Sequence, residues 1–123
     1  MISKVIEITT IEELENINQI YLDKLFIIDF SASWCPPCQM IKPIFAELSN
    51  QYTNCVFLKV DIDKSSELKD FFRPKLLPTF FLMKNGNIFY KWTGANQDTL
   101  KQNIIKYMNY NIDLIDQFSM PYV

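Results

Sequence analysis

Two short apolar runs limit what this chain can become. "KLFIIDF" (Lys24–Phe30) and "CVFLKVDID" (Cys55–Asp63) have strand length and almost no polar alternation. A strand that is apolar on both sides must be covered on both sides, as in the middle of a sheet flanked by helices. The neighbouring segments supply those helices. Thr10 with Glu13 three positions later is a capping-box pair that opens a helix near Ile11–Ile20. "CQMIKPIFAELSNQY" carries Met40, Ile41, Ile44, Phe45 and Leu48 at helical spacing. Pro43 is predicted to kink that helix, which should stop near Asn50. Ser65–Phe72 reads as a short helix capped by Ser65 or Ser66. Asn96–Tyr110 reads as an amphipathic helix with Leu100, Ile104, Ile105 and Met108 on one face.

"KVIEIT" (Lys4–Thr9) alternates as a short strand does. "TFFLM" and "IFYKWT" flank "KNGN", and Asn85-Gly86 is a strong hairpin-turn signal. Gly94 closes the second of these strands. The order is therefore βαβαβαββα, an α/β mixed sheet with helices on both faces. At 123 residues, 49% hydrophobic, with only two glycines and six prolines, the chain suits one well-cored domain. The domain is taken as 1–123, with 111–123 as a C-terminal extension that would prolong the last helix before Pro121.

The net charge of −2 comes from 12 basic and 14 acidic side chains, without a basic stripe, so nucleic-acid binding is not supported. No apolar run approaches the roughly 20 residues of a membrane span. "MISKVIEITTIEE" lacks the apolar stretch of a secretory leader, and "SMPYV" has no cysteine for prenylation. A cytoplasmic, soluble chain is the expectation.

Histidine is absent and cysteine occurs three times. Cys-His and Ser-His catalysis and Cys₂His₂ zinc sites are thereby excluded, and three thiols cannot fill a Cys₄ site. Cys35 and Cys38 lie where a strand ends and a helix begins, with Pro36 and Pro37 between them. The unsatisfied N–H groups and positive dipole of a helix start stabilise a thiolate. Cys35, expected to be the more exposed, suits the attacking role. Cys38, one turn in, suits the resolving role, and such exchange needs no cofactor or metal. Both prolines fit a first helical turn but lack N–H groups, so Cys35 has fewer backbone donors than it would beside glycine. Half a zinc site or two buried thiols is the plainer alternative. Cys55 reads as a small core hydrophobe. Asp29, an acid inside an apolar run, either faces water at a strand end or is buried for a reason.

"IIDFSASWCPPCQMIKP", "FLKVDID", "LPTFFLMKNG" and "WTGA" occur in that order and resemble the successive landmarks of the thioredoxin family. The resemblance covers about Lys4 to Tyr110. It implies a five-stranded mixed sheet flanked by four helices, and reduction of protein disulfides with electrons supplied by a thioredoxin reductase. It implies that Cys35 is the nucleophile, Cys38 the resolving thiol, and Asp29 the buried proton acceptor, balanced by Lys59. A carboxyl in low dielectric holds its proton to higher pH, which agrees. Alone, Lys59 reads as a surface residue. The resemblance further implies a cis bond before Pro78, with Leu77 offering its backbone to an extended substrate. Trp34, Pro36, Pro37, Thr93 and Gly94 would complete the substrate-binding surface.

Some residues depart from the pattern. Ser31 stands where many thioredoxins have a second tryptophan, and Pro36 replaces the usual glycine. "FSASWCPPC" is closer to tryparedoxins and nucleoredoxins. Leu76 and Trp92 add apolar bulk beside the expected groove, with Trp92 read as an exposed strand aromatic. The expected protein is a monomeric disulfide reductase, with peroxiredoxins among its candidate partners. A tryparedoxin-like carrier to peroxidases and a non-catalytic binding module are the alternatives.

Overall fold

A computed structural model describes residues 3–110 of the chain. The elements are β1 (Ile6–Glu7), α1 (Ile11–Ile20), β2 (Phe26–Ser31), α2 (Pro36–Gln51), β3 (Val56–Asp61), α3 (Ser66–Phe72), β4 (Thr79–Lys84), β5 (Asn87–Thr93) and α4 (Gln97–Tyr107). The sheet order is β1-β3-β2-β4-β5. β1, β2 and β3 run parallel, while β4 is antiparallel to β2 and to β5. The result is the α/β mixed sheet expected from the element order.

β2 is buried along its whole length and is the middle strand. Its alternate residues feed two cores. Ile27, with Leu25 just before the strand, packs with Ile41, Phe45 and Leu48 of α2 and with Leu100 and Ile104 of α4. Phe26, Ile28 and Phe30 pack with Leu14 of α1 and with Leu68 and Phe72 of α3. Phe45 sits at the centre of the first core, its ring 5.2 Å from Phe57 and 5.9 Å from Phe80.

Local chemistry sets the element ends. The Thr10–Glu13 capping box is present. The Ser65 hydroxyl, rather than that of Ser66, accepts the Leu68 N–H and caps α3. Asn85 (φ 51°) and Gly86 (φ 81°) both take the left-handed conformation that a two-residue hairpin turn requires. Pro43 lies inside α2, which continues on both sides of it.

Four expectations need correction. β1 has two paired residues rather than six, because the Lys4 N–H is taken by the Ser49 hydroxyl instead of a neighbouring strand. Met40 is 72% exposed, on the outer side of α2. Ile105 is also exposed, and Tyr107 takes the core position on α4, where its ring meets Phe89. Trp92 is half-buried and stacks on Phe80 at 5.2 Å, so it belongs to the packing of the first core. The extension at 111–123 lies outside the described residues.

Phe45→Ala should lower the unfolding free energy by about 3–5 kcal/mol in urea titrations, the usual cost of emptying a buried aromatic site. A loss below about 1 kcal/mol would mean that α2 is not held by this cluster.

Candidate active site

β2 ends at Ser31, and four residues later Cys35 begins α2. The Cys35 N–H donates to the Ala32 carbonyl at 3.3 Å, which folds the loop back on itself. Cys35 is the N-cap of the helix, and its Sγ accepts the Cys38 N–H at 3.3 Å. Pro36 and Pro37 occupy the first two helical positions. Neither has an N–H, so the first available donor of α2 is that of Cys38, and it points at the Cys35 sulfur. The two cysteines are joined as a disulfide, with Cα atoms 5.3 Å apart.

Cys35 does not stand out into solvent as expected. It is 4% exposed against 3% for Cys38. The cause is cover from outside its own loop, since Ile62 and Leu77 pack against the pair. Cys35 Sγ lies 3.8 Å from the Leu77 carbonyl oxygen. The Leu77–Pro78 bond is cis. The Pro78 carbonyl accepts the Gly94 N–H at 2.9 Å, tying the end of β5 to this loop. Gly94 has φ 102°, a conformation that side-chain-bearing residues rarely adopt, so it does more than end a strand. Thr93 pairs with Thr79, and the Thr79 hydroxyl bonds to the Leu76 carbonyl.

Trp34 is 64% exposed in front of the disulfide. Its indole N–H donates to Asp63 Oδ2 at 2.8 Å, and the Asp63 N–H donates to Asp61 Oδ1 at 2.9 Å. Sequence reasoning missed this brace. The only sequence signal was the pair of acids closing "FLKVDID". Leu76 is 64% exposed at the edge of the same surface.

Asp29 is buried, at 3% exposure, and points to the α2 side of the sheet. It lines a cavity of about 230 Å³ with Lys59, Lys42 and Phe45. Lys59 is its register partner on β3. Burial pushes the Asp29 carboxyl up to about 7, and the charge of Lys59 acts against that rise. Asp29 Oδ1 has no hydrogen-bond partner among the described residues. Cys55 is free and buried, and desolvation pushes its thiol up to about 11, so it stays protonated at neutral pH. Among the described residues no three Cys, Asp or Glu side chains gather to hold a metal ion.

A thiol pair that closes across a helix mouth, with a carboxyl titrating near neutrality on the same side of the sheet, can pass two electrons to a disulfide in another molecule. These features define a dithiol–disulfide oxidoreductase. The family model described as Thioredoxin matches residues 5–106. The chain belongs to the thioredoxin family, and its reaction is the reduction of protein disulfides. Thioredoxin H5 of Arabidopsis thaliana is 44% identical over 84 residues, covering 68% of this chain and 71% of the relative. The crystal structure of a Nicotiana alata thioredoxin superimposes with a TM-score of 0.82 at 32% identity, covering 89% of this chain and 96% of that one. A third similar chain comes from a structure on thiol resolution in yeast mitochondrial 1-Cys peroxiredoxin via glutathione/thioredoxin systems. It has a TM-score of 0.76 and 31% identity, with 85% of this chain and 99% of that chain covered.

Raising the Asp29 carboxyl from its ordinary 3.8 to about 7 corresponds to about 4 kcal/mol at most. The folded form holds this proton more tightly than the unfolded form does. The associated stability is complete below about pH 4 and is lost as pH rises through about 7. Asp29→Asn cannot ionise. Its stability relative to the native chain should therefore rise by a few kcal/mol between pH 4 and pH 8 in urea titrations. A difference that stays constant with pH would refute the buried-carboxyl account.

Proposed function

We propose that Cys35 is the attacking thiolate and Cys38 the resolving thiol. The observation that carries this reading is the Cys38 N–H aimed at Cys35 Sγ from the first turn of α2. That donor and the helix dipole favour negative charge on Cys35 over Cys38. In the reduced protein the Cys35 thiolate attacks one sulfur of a target disulfide. The other target sulfur leaves with the electron pair, and a mixed disulfide forms. Cys38 then loses its proton and attacks Cys35 Sγ. The Cys35–Cys38 bond forms, and the second target thiolate departs. Asp29 is the acceptor for the Cys38 proton, and Lys59 tunes it. With its pKa near 7, Asp29 is ionised in an adequate fraction of molecules at neutral pH.

The target lies extended across Leu77 and Pro78, with its backbone paired to Leu77 and its flanks against Trp34, Pro36, Pro37, Thr93 and Gly94. The chain works as a monomeric single domain, 1–123, in the cytoplasm. A thioredoxin reductase recharges it within a cellular electron-transport chain, and peroxiredoxins are among its targets. The similarity to the yeast chain from the peroxiredoxin structure supports that last assignment. Among the described residues no helix is long and apolar enough to cross a membrane.

The test is reduction of insulin disulfides by the reduced protein. Cys35→Ser should remove activity completely. Cys38→Ser should stop after one half-turnover and accumulate a covalent mixed disulfide, visible as a mass adduct. Activity retained in Cys35→Ser would overturn the roles, and unchanged target binding by the double serine variant with no reduction by the native chain would favour a non-catalytic module.

A further inference from the structure

Two loops far apart in the chain are tied by one pair of residues. Asp23, in the turn between α1 and β2, donates its backbone N–H to Asn85 Oδ1 at 2.7 Å. Asn85, at the tip of the β4–β5 hairpin, donates its Nδ2–H back to Asp23 Oδ1 at 2.8 Å. Both residues hold positive φ, 66° at Asp23 and 51° at Asn85, in the left-handed region that side-chain-bearing residues rarely occupy. Two strained backbones thus meet at one contact, and the clasp between them offsets the strain.

The clasp needs an amide. Asn85 accepts at one atom and donates at the other, which a carboxylate cannot do. An aspartate at 85 would still accept the Asp23 N–H. It would have no proton for Asp23 Oδ1, and two carboxylate oxygens would meet where a charge-assisted hydrogen bond now stands. The sequence also puts this amide in the most hydrolysis-prone setting of the chain. Gly86 follows it, exposed and without a side chain, so its nitrogen approaches the Asn85 side-chain carbonyl without steric obstacle. Each other asparagine precedes Ile, Gln, Cys or Tyr, whose side chains hinder the same approach.

We propose that Asn85 is a deamidation site guarded by Asp23, and that its conversion to aspartate or isoaspartate releases the hairpin tip from the α1–β2 turn. The Gly86 backbone nitrogen attacks Asn85 Cγ. A C–N bond forms, the Cγ–Nδ2 bond breaks, and ammonia leaves with the Gly86 proton. Water then opens the cyclic imide at either carbonyl, giving aspartate or isoaspartate. One water is consumed, one ammonia is released, and no redox partner is needed. While the clasp is closed, Oδ1 and Nδ2 are both engaged by Asp23, so Cγ does not turn to Gly86. Attack is confined to moments when the loops part. Once the amide is gone the clasp cannot re-form, and the charge change acts as a one-way loss of stability. The redox site is spared. Asn85 follows the last residue of β4 and Pro78 precedes its first, with 6 strand residues, about 20 Å, between them.

The experiment incubates the full chain in warm, weakly alkaline buffer and follows the mass gain of the peptide that contains Asn85. Native protein, Asp23→Gly and the native chain unfolded in urea are compared. Asp23→Gly accepts the positive φ, keeps the backbone donor and removes only the carboxylate. It should deamidate about tenfold faster than native, the effect of losing a hydrogen bond to a charged group. The unfolded chain should be faster still. Equal rates in native and Asp23→Gly overturn the guarding role, and no gain at Asn85 in any of the three overturns the site. Asn85→Asp then stands for the product. Its urea midpoint should fall below native, while insulin reduction stays within about twofold. Asp23→Asn added to Asn85→Asp exchanges amide and carboxylate across the contact and should restore the midpoint. A native midpoint in Asn85→Asp, or no recovery in the double variant, overturns the clasp as the contact that deamidation breaks.

Discussion

The hydrogen bond from the Cys38 N–H to Cys35 Sγ is the interaction on which the rest of this structure depends. It makes a cysteine the cap of a helix, a place usually held by serine, threonine, aspartate or asparagine. The sulfur thereby receives a donor and the positive end of α2. The two prolines concentrate this effect. They start the helix with the right backbone angle and withhold their own donors, so the cap rests on one N–H. The helix can begin there only because β2 ends four residues earlier in the middle of the sheet, with both its faces covered. The sheet order thus fixes the sulfur as firmly as the local motif does.

The same strand carries the costly part of the design. β2 is buried throughout, yet it holds Asp29 and Ser31 on the face toward α2. An apolar pair at these positions would pack with less penalty. Asp29 is held near its titration point by two opposing influences, burial and the charge of Lys59. That balance makes a proton acceptor at neutral pH at the expense of stability, a trade often found at functional sites. At Cys55 burial likewise outweighs nearby positive charge, from Lys24 and Lys84, and pushes the thiol up to about 11, so it stays protonated at neutral pH.

Much of this was legible in the sequence. The apolar runs located β2 and β3, because strands covered on both sides cannot alternate. The Thr10–Glu13 pair, the Asn85-Gly86 turn and the cysteine spacing each name a local geometry, and the structure contains all three. What was not legible depends on residues distant in the chain. Cys35 looked exposed because its cover comes from Ile62 and Leu77, which only folding brings near. The brace from Asp63 to Trp34 spans 29 positions and leaves no periodic trace. Ile105 and Tyr107 are both apolar enough for the inner face of α4. Helical phase from Leu100 and Ile104 already favours Tyr107, and contact with Phe89 and Tyr90 on β5 holds the aromatic ring there. Ser31 registered only as a departure from a familiar pattern, since one residue type cannot reveal an unpaired hydroxyl.

The most direct measurement is the pH dependence of alkylation of Cys35 in the reduced protein, with Cys38 replaced by serine so that one reactive thiol is followed. Cys55 is buried and protonated and serves as a slow internal reference. The account predicts a half-maximal rate clearly below the value of about 8.5 that marks a free thiol. A midpoint at or above that value would mean that the helix mouth does nothing for the sulfur, and the account would be contradicted at its base.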